Sequence, residues 1–211
     1  MRKIKIPVVH LLQVIILGGI WGCSSDYGPK QKGYNRLDLP LKHTYQTSPD
    51  TLPYSFEYSD YARLLDDTSW VSEENWTEIY YPELKATVHV TYKDLENDKK
   101  KLKELFEDSY FLTSKHQIKA YAIDDIIMTS PSGKTFSIAE LDGEVPSQFQ
   151  FVCTDSVKHF LRGALYFNTK VSNDSLAPAI EFVKVDVIHM LNTLEWNGTV
   201  TDQTPFAFSK M

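Results

Sequence analysis

From Tyr54 onward, apolar and polar side chains alternate in short runs, and two longer stretches carry a helical period. Tyr54-Ser55-Phe56-Glu57-Tyr58 puts apolar groups on every second position, the pattern of a half-buried strand. Thr77-Glu78-Ile79-Tyr80-Tyr81 predicts a second strand, ended by Pro82. Ala86 to Tyr92 is the clearest strand, β-branched and aromatic, with Val88, Val90 and Tyr92 on one face and Thr87, His89 and Thr91 on the other. The period then changes. Leu95, Leu102, Leu105, Phe106 and Leu112 fall on one stripe of a helix, with Asp94 as its candidate N-cap. Lys99, Lys100, Lys101, Lys103, Glu104, Glu107 and Asp108 lie mostly off that stripe and read as a solvated face with helix-surface ion pairs.

Four strand-like runs follow, Ile118–Thr129, Lys134–Leu141, Ser147–Thr154 and His159–Asn168. Pro131-Ser132-Gly133 and Asp142-Gly143 mark turns between them, and connections this short favour antiparallel neighbours. Asp174-Ser175-Leu176-Ala177-Pro178 opens a second helix, with proline in its first turn. Its expected buried stripe is Ile180, Val183, Val187, Met190, Leu191 and Leu194, and Asn197-Gly198 is the expected stop. The order is three strands, a helix, four strands and a helix. It predicts an α+β fold, a mainly antiparallel sheet with two helices packed on it. The expected domain is 54–197, followed by a loose tail, 198–211.

The N-terminal part is organised differently. Residues 24–53 contain Pro29, Pro40, Pro49 and Pro53 and hold neither period, so 23–53 reads as a tether. Tyr27, Tyr34 and Tyr45 are more aromatic than a flexible linker needs, which predicts that part of it lies extended along the domain. Before it, Arg2, Lys3 and Lys5 precede an apolar run that ends Ile20-Trp21-Gly22-Cys23. This is the layout of a secretory signal over residues 1–22. A cysteine directly after the small residue resembles a bacterial lipobox, which makes Cys23 the site of diacylation with palmitate-type chains. A plain signal peptide is the alternative, because Trp21 is large for its position. A spanning helix fits less well, since Pro7, His10 and Gln13 interrupt the run and spanning needs about 20 mainly apolar residues.

Charge narrows the function classes. The first 22 residues hold three basic and no acidic side chains, which takes the rest of the chain from −6 to −9. A nucleic-acid binder needs a basic face, and electrostatic docking on anionic lipid needs basic segments. The expectation is therefore no nucleic-acid partner and a covalent membrane anchor. Once Cys23 is acylated, Cys153 is the one remaining cysteine, and Gln150-Phe151-Val152-Cys153 reads as an apolar strand in which it is a small buried hydrophobe.

Motifs for catalysis are sparse. There is no phosphate-binding glycine loop, no His-Glu-x-x-His, no cysteine pair for zinc and no Gly-x-Ser-x-Gly elbow. No cofactor, metal or catalytic residue is expected. His89 alternates onto the polar side of its strand, as a hydrogen-bonded surface histidine does. The best local cluster, Thr154-Asp155-Ser156-Val157-Lys158-His159, reads first as a turn and second as the Asp155/Ser156/His159 set of a hydrolase. Asp50-Thr51-Leu52, Asp155-Ser156-Val157 and Asp174-Ser175-Leu176 resemble the O-glycosylation sequon of exported Bacteroidota proteins, giving Thr51, Ser156 and Ser175 as candidates. Asp174 competes for this as an N-cap.

Three longer runs carry a family resemblance. They are Tyr80 to Lys93, His116 to Ile123, and Thr154 to Phe167. In this order, behind a lipobox, they resemble the gliding-motility lipoprotein GldD family of the Bacteroidota over roughly residues 50–196. The resemblance implies a role beside the gliding and type IX secretion machinery of the envelope, and no catalytic residues to carry over. It maps lipidation onto Cys23. The expected function is a lipid-anchored, periplasm-facing accessory that works through protein contacts with other gliding and secretion proteins. Two rivals stand beside it: an envelope hydrolase, and a periplasmic module with an apolar ligand pocket between sheet and helices.

Overall fold

The computed structural model describes residues 39–40, 42–116, 119–168 and 173–197. In chain order these form β1 (Tyr45–Thr47), β2 (Tyr54–Ser55), β3 (Glu57–Ser59), β4 (Arg63–Asp66), β5 (Thr77–Tyr81) and β6 (Ala86–Asp94). Helix α1 (Lys99–Ser114) follows, then β7 (Ala120–Thr129), β8 (Thr135–Gly143), β9 (Phe149–Thr154) and β10 (His159–Phe167). Helix α2 (Asn173–Thr193) and β11 (Glu195–Trp196) complete the described part.

Seven strands make one antiparallel sheet in the order β4-β5-β6-β10-β9-β8-β7. The chain is α+β, as its pattern predicts. β10 closes the β7–β10 meander back onto β6 and pairs with it along its whole length, from His159↔Asp94 to Phe167↔Ala86. Alternation sends Ile79, Tyr81, Val88, Val90, Tyr92, Phe136, Ile138, Phe151, Cys153, Leu161 and Leu165 to one face. α2 covers that face with Ala179, Phe182, Val183, Val187, Met190 and Leu191. Each large side chain buried there contributes about 1.5–3 kcal/mol. On the other face, Leu95, Val152 and Phe160 meet Leu102, Leu105 and Phe106 of α1. The helices therefore lie on opposite faces of the sheet, and α2 covers the larger core.

Several boundaries differ from the sequence reading. The run Tyr54–Tyr58 is two strands and not one. β2 pairs with β11 and β3 pairs with β1, while between them the Phe56 amide donates to Ser48 Oγ and the Phe56 carbonyl accepts from the Ser48 amide. β1 lies inside the stretch read as tether, and β4 and β11 were also unforeseen; strands of two to four residues are too short to show a period. Asp94 does not cap α1. Glu96 and Asn97 take left-handed backbone (φ 53° and 59°), so the helix starts at Lys99, where Asp98 Oδ1 accepts from the Lys100 and Lys101 amides. Asp94 accepts from the Glu96 amide, Leu95 is buried from that turn, and Leu112 is exposed. α2 begins at Asn173, which places Asp174 and Pro178 within the helix, Pro178 as its sixth residue. It also stops at Thr193, before Asn197-Gly198. The Thr193 hydroxyl donates to the His189 and Met190 carbonyls and accepts from the Glu57 amide.

Among the described residues no helix is long and apolar enough to cross a membrane. The signal (1–22), Cys23, the tail (198–211) and the first part of the tether lie outside the described residues.

Candidate functional site

Where the N-terminal segment meets the body, it is held by a polar cluster. Asp186 sits on the buried stripe of α2, 2 % exposed, among the apolar groups that pack on the sheet. An ionised carboxylate cannot remain there without partners. Its Oδ1 accepts from His43 Nδ1 at 2.5 Å, and its Oδ2 accepts from the Tyr81 hydroxyl at 3.1 Å. Burial first, and then the Asp186 charge, hold the Tyr81 phenol well above its ordinary value. The His43 ring also stacks on Phe182 at 4.5 Å between centroids. Two residues on, Tyr45 stacks on His189 at 3.6 Å, and His189 Nε2 meets Glu57 Oε2 at 2.6 Å. Burial and then Asp186 push the Tyr45 phenol up to about 12. A strap carrying His43 and Tyr45 is thus fastened across α2 by the His43–Asp186 contact and the Tyr45–His189 stack, and to β3 by β1–β3 pairing. Neither contact was anticipated. One signal was present in the sequence: Asp186 lies three residues after Val183 and four before Met190, a charge in the middle of an apolar stripe.

The Asp155/Ser156/His159 set is the turn between β9 and β10. Asp155 Oδ1 accepts from the amides of Val157, Lys158 and His159, the local pattern by which aspartate builds turns. Ser156 has φ 64°, and its Oγ is buried without a hydrogen-bond partner among the described residues. His159 is fully buried. It shares a 2.8 Å hydrogen bond with Tyr92 through Nδ1 and stacks on Trp196, with Nε2 4.0 Å from Asp155 Oδ2. Burial holds the imidazole below its ordinary value of 6.5. The turn brings Asp155 and His159 together but does not join the Ser156 hydroxyl to His159. Cys153 is buried too, its thiol pushed up to about 12 by burial, with Sγ 3.8 Å from the Thr135 carbonyl. A thiol held neutral in this way is a weak nucleophile.

The three sequons differ in access. Thr51 is exposed in a turn, and the Ser156 oxygen is covered. The Ser175 side chain lies outside the described residues. A surface depression bordered by Ser72, Glu73, Asn75, Lys93, Asp94 and Lys101 is polar. Large apolar groups, by contrast, stand in solvent. Tyr110, Phe111 and Leu112 end α1, Tyr121, Ile126 and Ile127 lie on the edge strand β7, and Trp70 is 96 % exposed.

A family model described as "Gliding motility lipoprotein GldD" matches residues 24–196. Among solved structures, the chain is similar to the solution structure of cyanobacterial PsbP (CyanoP) from Synechocystis sp. PCC 6803. That match has 12 % identity and a TM-score of 0.45, and it covers 80 % of this chain and 99 % of that one. No curated protein matches the sequence.

Proposed function

The chain belongs to the gliding motility lipoprotein GldD family, and we propose from this that it is an accessory of the gliding and type IX secretion machinery. It works through protein contacts and is held at a membrane, facing the periplasm, by acyl chains on Cys23. The observation that carries the reading is the family match over 24–196, which begins at the residue after Cys23. Anchoring would raise the local concentration of the domain near membrane partners without any new contact. The exposed aromatic groups at the end of α1 and on β7 support a role in contacts, since tyrosine and other aromatics are enriched at interfaces. The β9–β10 turn lends no support to a hydrolase, because Ser156 Oγ is covered and unbonded to His159 among the described residues. Of the two candidate glycosylation sites whose side chains are described, Thr51 is the one a transferase would reach on the folded chain.

The test is Cys23→Ala expressed at native level in place of the wild-type chain. The expected result is loss of fatty-acid label, a shift from the membrane to the soluble fraction, and a drop in gliding or type IX secretion. A variant that stays membrane-bound and still takes up the label overturns the anchor. One that becomes soluble with secretion intact overturns the functional need for it.

A further inference from the structure

We propose that Asp67, Glu78 and His89 form a binding site for a divalent transition-metal ion, with zinc the best match. The three residues stand eleven apart in sequence, and hairpin connections bring them together. Glu78 and His89 are directly opposite in the β5–β6 register. Asp67 follows β4, and its amide bonds the Trp76 carbonyl, which places its carboxylate beside Glu78. One donor atom from each lies within 4.8 Å of the others, and His89 Nδ1 is 3.2 Å from Glu78 Oε1. Tetrahedral zinc with bonds of about 2.0–2.1 Å holds its ligand atoms about 3.3 Å apart, so closing this set needs small side-chain rotations.

Charge points the same way. Two carboxylates converge here, and among the described residues neither has a lysine or arginine within ion-pair distance; His89 is the partner of Glu78. A divalent ion would neutralise both. The set is also braced from outside. Asp67 Oδ1 accepts from the Ser69 amide at 2.8 Å, and the Tyr166 ring stands edge-on to His89 at 5.5 Å. Such outer contacts orient ligands in known sites. All three residues are half-buried on the sheet face away from α2, reachable from solvent. An imidazole with two carboxylates suits zinc better than magnesium or calcium, which favour oxygen alone. Three protein ligands leave a fourth position for water. The bound ion would tie β4, β5 and β6 together at one edge of the sheet.

The test uses the full chain in detergent micelles, stripped with chelator and titrated with Zn²⁺ alone by calorimetry, with metal content measured after gel filtration. The expected result is one zinc per chain with a dissociation constant in the micromolar range. Glu78→Gln and His89→Gln should each weaken it by about tenfold or more while leaving the chelator-treated melting temperature near wild type. His116→Gln, a histidine away from the site, should bind as wild type does. Absence of stoichiometric binding at about 100 µM free zinc overturns the proposal, as does binding that survives both substitutions.

Discussion

Gly163 stands opposite Phe151 in the β9–β10 register, and a Cβ placed on it would lie 2.1 Å from Phe151 Cζ. The aromatic ring lies across the glycine, so this position needs hydrogen for reasons of space and not of turn geometry. Gly163→Ala is expected to destabilise by about 1–3 kcal/mol, the usual range for overpacking. Urea unfolding should show this as a lower midpoint with an unchanged slope. Adding Phe151→Leu should make the pair less unstable than the sum of the single changes; simple additivity would argue against the contact. His159 gives a second expectation. Burial keeps its imidazole neutral in the folded chain, with Asp155, Lys158 and Asp94 as the nearby charges. The unfolded chain takes up a proton below about 6.5. The stabilising contribution is therefore complete above that value, and it is lost as pH falls through the window between it and the lower folded value. The melting temperature should fall as pH drops below about 6.5, and His159→Phe should flatten that fall. The sequence placed Cys153 and the β9–β10 turn well, because neighbours within six residues define them. It placed His159 in a polar cluster, because its real surroundings, Tyr92 and Trp196, come from distant strands.

The elements read best from sequence are those with enough residues to establish a period. β6 alternates over nine residues and runs two residues past its expected end at Tyr92, and β10, also nine residues long, ends one residue before its expected end at Asn168. α1 was read four residues too long at its start because Leu95 lies on the helical stripe, although a left-handed turn at Glu96 and Asn97 delivers it to the same core. The strap was the least legible element. Its three-residue strand and prolines look like linker, and the partners that fix it, Asp186 and His189, lie on α2 near the far end of the described chain. That attachment makes a local prediction. His43→Ala leaves Asp186 with Tyr81, so a buried carboxylate loses a bond of the charged class, worth about 1.5–3 kcal/mol. Hydrogen exchange should quicken first at the amides of β1 and at Ser48, which bond to β3 and Phe56, while β6 and β10 keep their protection. Uniform loss of protection across the sheet would instead mean that the strap opens only with the whole fold. If the strap does open alone, it is the segment through which tension on a membrane anchor would first reach the domain.

At the scale of the molecule, the sheet is covered unevenly. α2 and the strap close one face, whereas α1 covers only part of the other and ends in Tyr110, Phe111 and Leu112, all exposed. β7, which among the described residues is an edge strand bordering β8 alone, adds Tyr121, Ile126 and Ile127. Long apolar edges invite uncontrolled pairing, and Asp124 and Asp125 within β7 are the charges that discourage it. On the proposed reading, such groups in solvent with acidic residues among them would meet particular partners while discouraging indiscriminate association. Composition and net charge could not reveal this, because alternation identifies which residues form a strand but not which strands lack a neighbour. The functional reading then separates contact from folding. Phe111→Glu and Tyr121→Glu alter exposed groups, so each should change stability by no more than about 0.5 kcal/mol. Both should leave lipidation and membrane level untouched. If the domain works through contacts, one or both should reduce gliding or type IX secretion as much as loss of the anchor does. Lys103→Glu, on the solvated face of α1, should not. Full secretion in the Phe111→Glu, Tyr121→Glu double variant would move the contact surface elsewhere on the sheet.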